Sequence, residues 1–177
     1  MNMLSKVLVG IALSLAATSD APAQTAGGAE ARLKEKNIVL PTAGTPVANY
    51  VGAVRVGNLL FVSGHTPGRE WQPNGKVGRD VTVEQGYQAA RMAGLNLLAT
   101  VRASLGSLDK VKRVVKTLGM VNSADGFGDQ PKVVNGFSDL MVEVFGETIG
   151  KHARSAVGVA GLPFNAPVEV EIVIEVE

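Results

Sequence analysis

The sequence predicts an α+β fold in which two helices pack on one face of a mixed sheet, in the order β-β-α-β-α-β-β. Three observations carry this. The last stretch alternates Val168, Val170, Ile172, Ile174 and Val176 against Glu169, Glu171, Val173 and Glu175, the period of a strand with one buried face. Gly86, Ala90, Ala93, Leu97, Val101 and Leu105 recur at helical spacing behind a Thr82-x-x-Gln85 capping pattern. Residues 54–56 and 59–63 are short apolar runs separated by Gly57-Asn58, a dipeptide suited to a tight hairpin.

The other elements follow in order. Residues 64–80 contain Pro67, Gly68, Pro73, Asn74-Gly75 and Gly78, with the lone Trp71 among them, and read as a loop. The first helix stops at Gly106, and its small residues suit it to lie close against a sheet. Residues 111–121 are rich in β-branched side chains and form a central strand. Asp129 is placed to cap a second helix with Pro131 in its first turn, where a missing N–H costs nothing. Val133, Phe137, Leu140, Met141, Val144 and Phe145 give that helix an apolar stripe, and Gly146 is expected to end it. Residues 153–159 and 168–176 are the last two strands, split by a turn at Gly161-Leu162-Pro163.

Composition sets the class. With 177 residues, 46% apolar and 19% charged, the chain has the profile of one globular domain. A net charge of +1 provides no whole-molecule field for nucleic acid or an acidic membrane. Cysteine is absent, which excludes disulfides, thiolate nucleophiles and Cys-ligated metals. Residues 1–23 have the order of a cleaved secretory signal: Lys6, an apolar run over residues 7–17, then Ala21-Pro22-Ala23. That run is about half of the roughly 20 residues a membrane span needs. The expectation is cleavage after Ala23, a periplasmic or secreted product with no membrane attachment, a flexible or short helical lead-in over residues 24–40, and the domain over residues 41–177.

Few residue patterns offer chemistry. His65 and His152 have no second His or Cys at ligand spacing, and a catalytic zinc usually takes three protein ligands, so no metal is expected. Phe61-Val62-Ser63-Gly64-His65 lacks the leading glycine of a nucleophile elbow, and there is no glycine-rich phosphate loop. The exception is Lys151-His152-Ala153-Arg154-Ser155-Ala156-Val157, where Arg154 opens an otherwise apolar strand. Burying a guanidinium is costly unless it meets good acceptors. Two partners are open: an internal carboxylate such as Glu169, or the carboxylate of a ligand. Glu169 has a matching ambiguity, as a plain sheet-face carboxylate or as a group that orients water.

Two separated motifs carry a family resemblance. The first is Tyr50-x₅-Val56-Gly57-Asn58-Leu59-Leu60-Phe61-Val62-Ser63-Gly64; the second is Ala153-Arg154-Ser155-Ala156-Val157-Gly158-Val159, followed by Leu162-Pro163 and Val168-Glu169-Val170-Glu171, with Val134-Asn135 between. From about Pro41 to the C-terminus the chain resembles the RidA/YjgF proteins, also known as L-PSP endoribonuclease or chorismate-mutase-like domains. The resemblance implies a chorismate-mutase-like fold, a homotrimer whose sheets enclose a central barrel, and ligand sites in the clefts between subunits. It implies cofactor-independent hydrolysis of 2-imino acids, such as 2-iminobutanoate or 2-iminopropanoate, to 2-oxo acids and ammonia. In that reading Arg154 holds the substrate carboxylate and Glu169 positions water, while Tyr50, Asn135, Ser63 and His65 bind substrate.

Two other functions share these residues. A non-catalytic binder of small carboxylates would use Arg154 without turnover. An endoribonuclease, drawing on Lys151, His152 and His65, sits poorly with the near-neutral charge and few aromatics, so no nucleic-acid partner is expected. The chain departs from many family members at His65, Ala156 and Gly158, where Gln, Cys and Glu are common. Its loops around Trp71 and over residues 123–130 also look longer. These departures predict a reshaped cleft with its own substrate.

Overall fold

The computed structural model describes residues 27–177. The proposed signal segment and its cleavage point lie outside the described residues. Five strands form one mixed sheet: β1 (Ala53–Val56), β2 (Leu59–His65), β3 (Val111–Asn122), β4 (Ala153–Val159) and β5 (Val168–Val176). Their spatial order is β1-β2-β5-β3-β4, antiparallel throughout except for the β3–β4 pair. Three helices accompany them: α1 (Ala29–Glu35), α2 (Val83–Leu105) and α3 (Gln130–Gly150).

Local chemistry accounts for the boundaries. Val56 pairs with Leu59 across Gly57-Asn58, and Gly57 takes a φ of 62° that a side chain would disfavour. At the start of α2 the Thr82 hydroxyl accepts from the Gln85 N–H at 3.1 Å, and the Gln85 side chain accepts from the Thr82 N–H at 2.9 Å. Both arms of the capping box are therefore made. Gly106 ends α2 in the left-handed region.

Gly146 behaves differently from the expectation. With φ 78° and ψ 170° it breaks the helical path of α3, yet another turn follows to Gly150 before β4 begins. That further turn carries Ile149, which packs against the core, and leads directly into β4.

The core lies between the sheet and the long helices, where Leu97, Leu98, Phe137 and Leu140 meet Val121 and Val170, all fully buried. Close contact between α2 and α3 depends on Gly136, since a Cβ there would stand 2.0 Å from the Tyr87 carbonyl oxygen. Among the described residues no helix covers the opposite face of the sheet. Val54, Val56, Phe61 and Val157 remain exposed on that face, among the glutamates of β5.

The short helix α1 is fastened to the domain. Ala29 and Leu33 are buried, and the Glu30 carboxylate accepts from Arg102 at 3.0 and 2.7 Å and from the Leu108 N–H at 3.0 Å. Because three donors lose their acceptor, Glu30→Ala is expected to cost about 1–2 kcal/mol and lower the melting temperature by roughly 2–8 °C, read by calorimetry.

Candidate functional site

The predicted site residues fall into two groups on different parts of the chain. Arg154 and Asn135 form the first. Arg154 enters at the start of β4, beside Thr117 of β3, and turns toward α3. Its Nη1 donates to Asn135 Oδ1 and to Ser138 Oγ, each at 2.9 Å, and its Nη2 donates to the Pro131 carbonyl oxygen at 3.4 Å. All three acceptors are neutral. Among the described residues Arg154 makes no ion pair. The guanidinium is thus oriented without an ion pair, at a cleft of about 440 Å³ shared with Ser138, Lys151, His152 and Asp139, whose carboxylate accepts from the Tyr87 hydroxyl at 2.9 Å.

Ser138 was not legible as a site residue. It lies three positions after Asn135, on the same helical face, and that spacing was the available signal. Its orientation follows from His152. His152 Nδ1 lies 2.6 Å from the Gly150 carbonyl oxygen, which can only accept, so Nδ1 carries the proton. Nε2 therefore accepts the Ser138 hydroxyl proton at 3.1 Å, leaving the serine lone pairs to Arg154. Burial pushes the His152 pKa down despite the opposing bond to Gly150, and nearby Arg154 lowers it further. His152 is then neutral at pH 7, which preserves this directionality.

Tyr50, Ser63 and His65 form the second group, lining a cavity of about 360 Å³ between the segment before β1, the end of β2 with the loop after it, and α2. The Ser63 hydroxyl donates to the Val51 carbonyl at 2.6 Å. His65 Nδ1 donates to the Ser63 carbonyl and Nε2 accepts from the Thr100 hydroxyl, both at 2.7 Å. With both nitrogens engaged, His65 shapes the cavity rather than offering it a free donor. Burial lowers its pKa, outweighing the Ser63 bond.

Glu169 adjoins this second group. A Cβ on Gly64 would stand 2.0 Å from Glu169 Oε1, so the missing side chain is what seats the carboxylate. The irregularity in β2 pairing between Val62 and His65 places Gly64 there. Burial pushes the Glu169 carboxyl above the usual carboxylate range, and the charge of Glu171 adds to the rise. Gly64→Ala is expected to leave the fold intact, because the clash is with the end of a flexible side chain. It should displace the carboxylate, which a crystal structure of the variant beside a melting curve would show.

Arg154 and Glu169 do not meet within the chain. Arg154 bonds α3, on the helix side of the sheet, whereas Glu169 alternates with the buried, helix-facing Val168 and Val170. They project from opposite faces. The internal Arg154–Glu169 pair that the sequence left open is therefore not formed. At Gly158 a Cβ would lie 2.9 Å from Gln130 Nε2 and 3.1 Å from Ser123 Oγ, so these side chains fill the space beside it.

Fold and site together define a small α+β domain with an oriented, unneutralised arginine on one side and a raised-pKa glutamate on the other. A family model described as "YjgF/chorismate mutase-like, putative endoribonuclease" matches residues 30–176, and the chain belongs to this family. That match begins within α1, upstream of the point where the motifs become visible. A Trypanosoma cruzi protein named TCP17 is 46% identical over 84% of this chain and 94% of its own. A 2-iminobutanoate/2-iminopropanoate deaminase of Dermatophagoides farinae is 36% identical over 79% of this chain and 95% of its own. In structure, an Agrobacterium tumefaciens protein of unknown function superposes with a TM-score of 0.77 at 46% identity, covering 84% of this chain and 92% of that one.

Proposed function

We propose that the protein is a cofactor-independent imine deaminase acting on 2-imino acids, as a homotrimer whose sites lie between subunits. The observation that carries this reading is Arg154: a guanidinium oriented by Asn135, Ser138 and Pro131, with no carboxylate to neutralise it. A planar fork of that kind suits a substrate carboxylate. Because Arg154 and Glu169 leave opposite faces of one sheet, a site using both draws them from neighbouring copies. The helix-free face, with exposed Phe61, Val54, Val56 and Val157, supplies an apolar surface for such packing. Static light scattering is expected to give three times the subunit mass at micromolar concentration; a stable monomer would remove the assembled site.

The chemistry follows from the residues. Arg154 fixes the carboxylate and hence the adjacent C=N carbon. Glu169, whose raised pKa makes it a better base than a free carboxylate, takes a proton from water as the oxygen adds to that carbon. That proton passes to nitrogen, giving a carbinolamine; the proton of the new hydroxyl then follows it to nitrogen as the C–N bond breaks, ammonia leaves and the C=O bond forms. Imine and water give 2-oxo acid and ammonia, with no redox change. Both histidines are neutral, and each has its ring nitrogens engaged internally, which leaves no free acid–base pair for cleaving RNA. The test is ammonia release from an imine generated in place by an amino-acid oxidase. Release above the uncatalysed rate is expected, and tight 2-oxo-acid binding without release would instead make the protein a carboxylate binder. The signal segment leads us to place this activity in the periplasm or outside the cell.

A further inference from the structure

A second guanidinium stands at the cavity lined by Tyr50, Ser63 and His65. Arg69, from the loop after β2, has its Cζ 4.3 Å from the centroid of the Phe164 ring, and both residues line that cavity. Phe164 has φ 56° and ψ 23°, the left-handed region, where a bulky side chain is a conformational outlier. Its ring is 63% exposed. Backbone strain that keeps an aromatic ring out of the core calls for a role at the surface, and here the ring holds Arg69.

The charge of Arg69 is unspent. It makes no ion pair among the described residues, and none of the other residues lining the cavity is acidic. A guanidinium held over a ring face keeps N–H donors for another acceptor. Gly64, whose missing side chain seats Glu169, also lines this cavity, so the two adjoin at the β2 irregularity.

We infer that Arg69 is a specificity-determining residue that binds a second, distal carboxylate, so that the substrates are 2-imino dicarboxylic acids. This rests on the deaminase reading of Arg154 and Glu169. Arg154 takes the carboxylate next to the imine carbon and Arg69 the one at the far end, with the carbon to be attacked between them, beside Glu169. A short apolar side chain would leave Arg69 unused. Arg69 is delivered by the loop after β2, which also carries Trp71.

The test is calorimetric titration of the full protein with 2-oxoglutarate and with 2-oxobutanoate, for the wild type, Arg69→Gln and Arg154→Lys, with light scattering on each. The wild type is expected to bind 2-oxoglutarate roughly tenfold or more tightly than 2-oxobutanoate, the effect of one added charged hydrogen-bonded contact. Arg69→Gln should lose that preference while keeping its 2-oxobutanoate affinity and its assembly, and Arg154→Lys should weaken both ligands. Equal wild-type affinities, or a preference that survives Arg69→Gln, would overturn the inference while leaving the Arg154 clamp in place. An altered oligomeric state in Arg69→Gln would assign the residue to a subunit contact and overturn it as well. If the wild type binds neither ligand, or Arg154→Lys changes nothing, the deaminase reading itself fails.

Discussion

Replacing Arg154 by Lys is expected to weaken 2-oxo-acid binding by roughly ten- to a hundredfold, the equivalent of about 1.5–3 kcal/mol for a charged hydrogen bond, while the protein melts within a few degrees of wild type. The two halves of this result have separate causes. Lysine keeps the charge but loses the planar fork that meets a carboxylate with two parallel bonds. Stability is spared because Arg154 neutralises no carboxylate; its acceptors are Asn135, Ser138 and Pro131, and two of these remain free to bond water. Had Arg154 closed a buried pair with Glu169, removing it would have stranded a carboxylate at a cost of about 3–5 kcal/mol. Titration calorimetry and differential scanning calorimetry on the same variant separate these outcomes, and unchanged affinity would defeat the clamp.

Glu169→Gln should have the larger catalytic effect, lowering kcat by roughly a hundredfold or more with little change in ligand affinity, in line with the contribution of a positioned general base. The wild-type pH profile carries the same signature. Glu169 must be ionised to accept a proton, and burial with the nearby Glu171 raises its pKa, so activity should fall on acidification at a pH above the ordinary carboxylate range. The stability effect runs the other way. A carboxyl whose folded pKa is raised binds more protons in the native state, so it costs stability as pH rises through the interval between its unfolded and folded values. Above that interval the cost is fully present, and Glu169→Gln, which removes it, should melt no lower than wild type at pH 7. A glutamine variant retaining full kcat would exclude Glu169 as the base.

Much of the fold was legible because its signals are local. The Thr82–Gln85 capping box, the Gly57-Asn58 turn and the strict alternation of β5 each depend on residues a few positions apart, and each appears in the structure. The failures have a common cause as well. Gly146 was read as a terminus because helix-breaking geometry looks the same whether or not another turn follows. The docking of α1 depends on Glu30 meeting Arg102, far away in the chain. In the site, Arg154 and Glu169 were legible as residues but not as members of opposite faces, since face is fixed by register between strands. The Arg69–Phe164 contact joins two loops that no periodicity connects.

The sheet order bears on how the two halves of the site come into being during folding. Arg154 reaches its acceptors within 16 to 23 positions, all inside the α3–β4 hairpin-like segment that follows β3. The seat of Glu169 instead requires β2 to close against β5 across more than half the length of the domain. Contacts of short sequence separation form with little loop-closure cost, and those of long separation come late. The clamp can therefore persist in species where the β1–β2 edge has detached. Under mild denaturant, amide exchange should open β1 and β2 ahead of α3 and β4, so that the cradle of Arg154 outlasts the seat of Glu169.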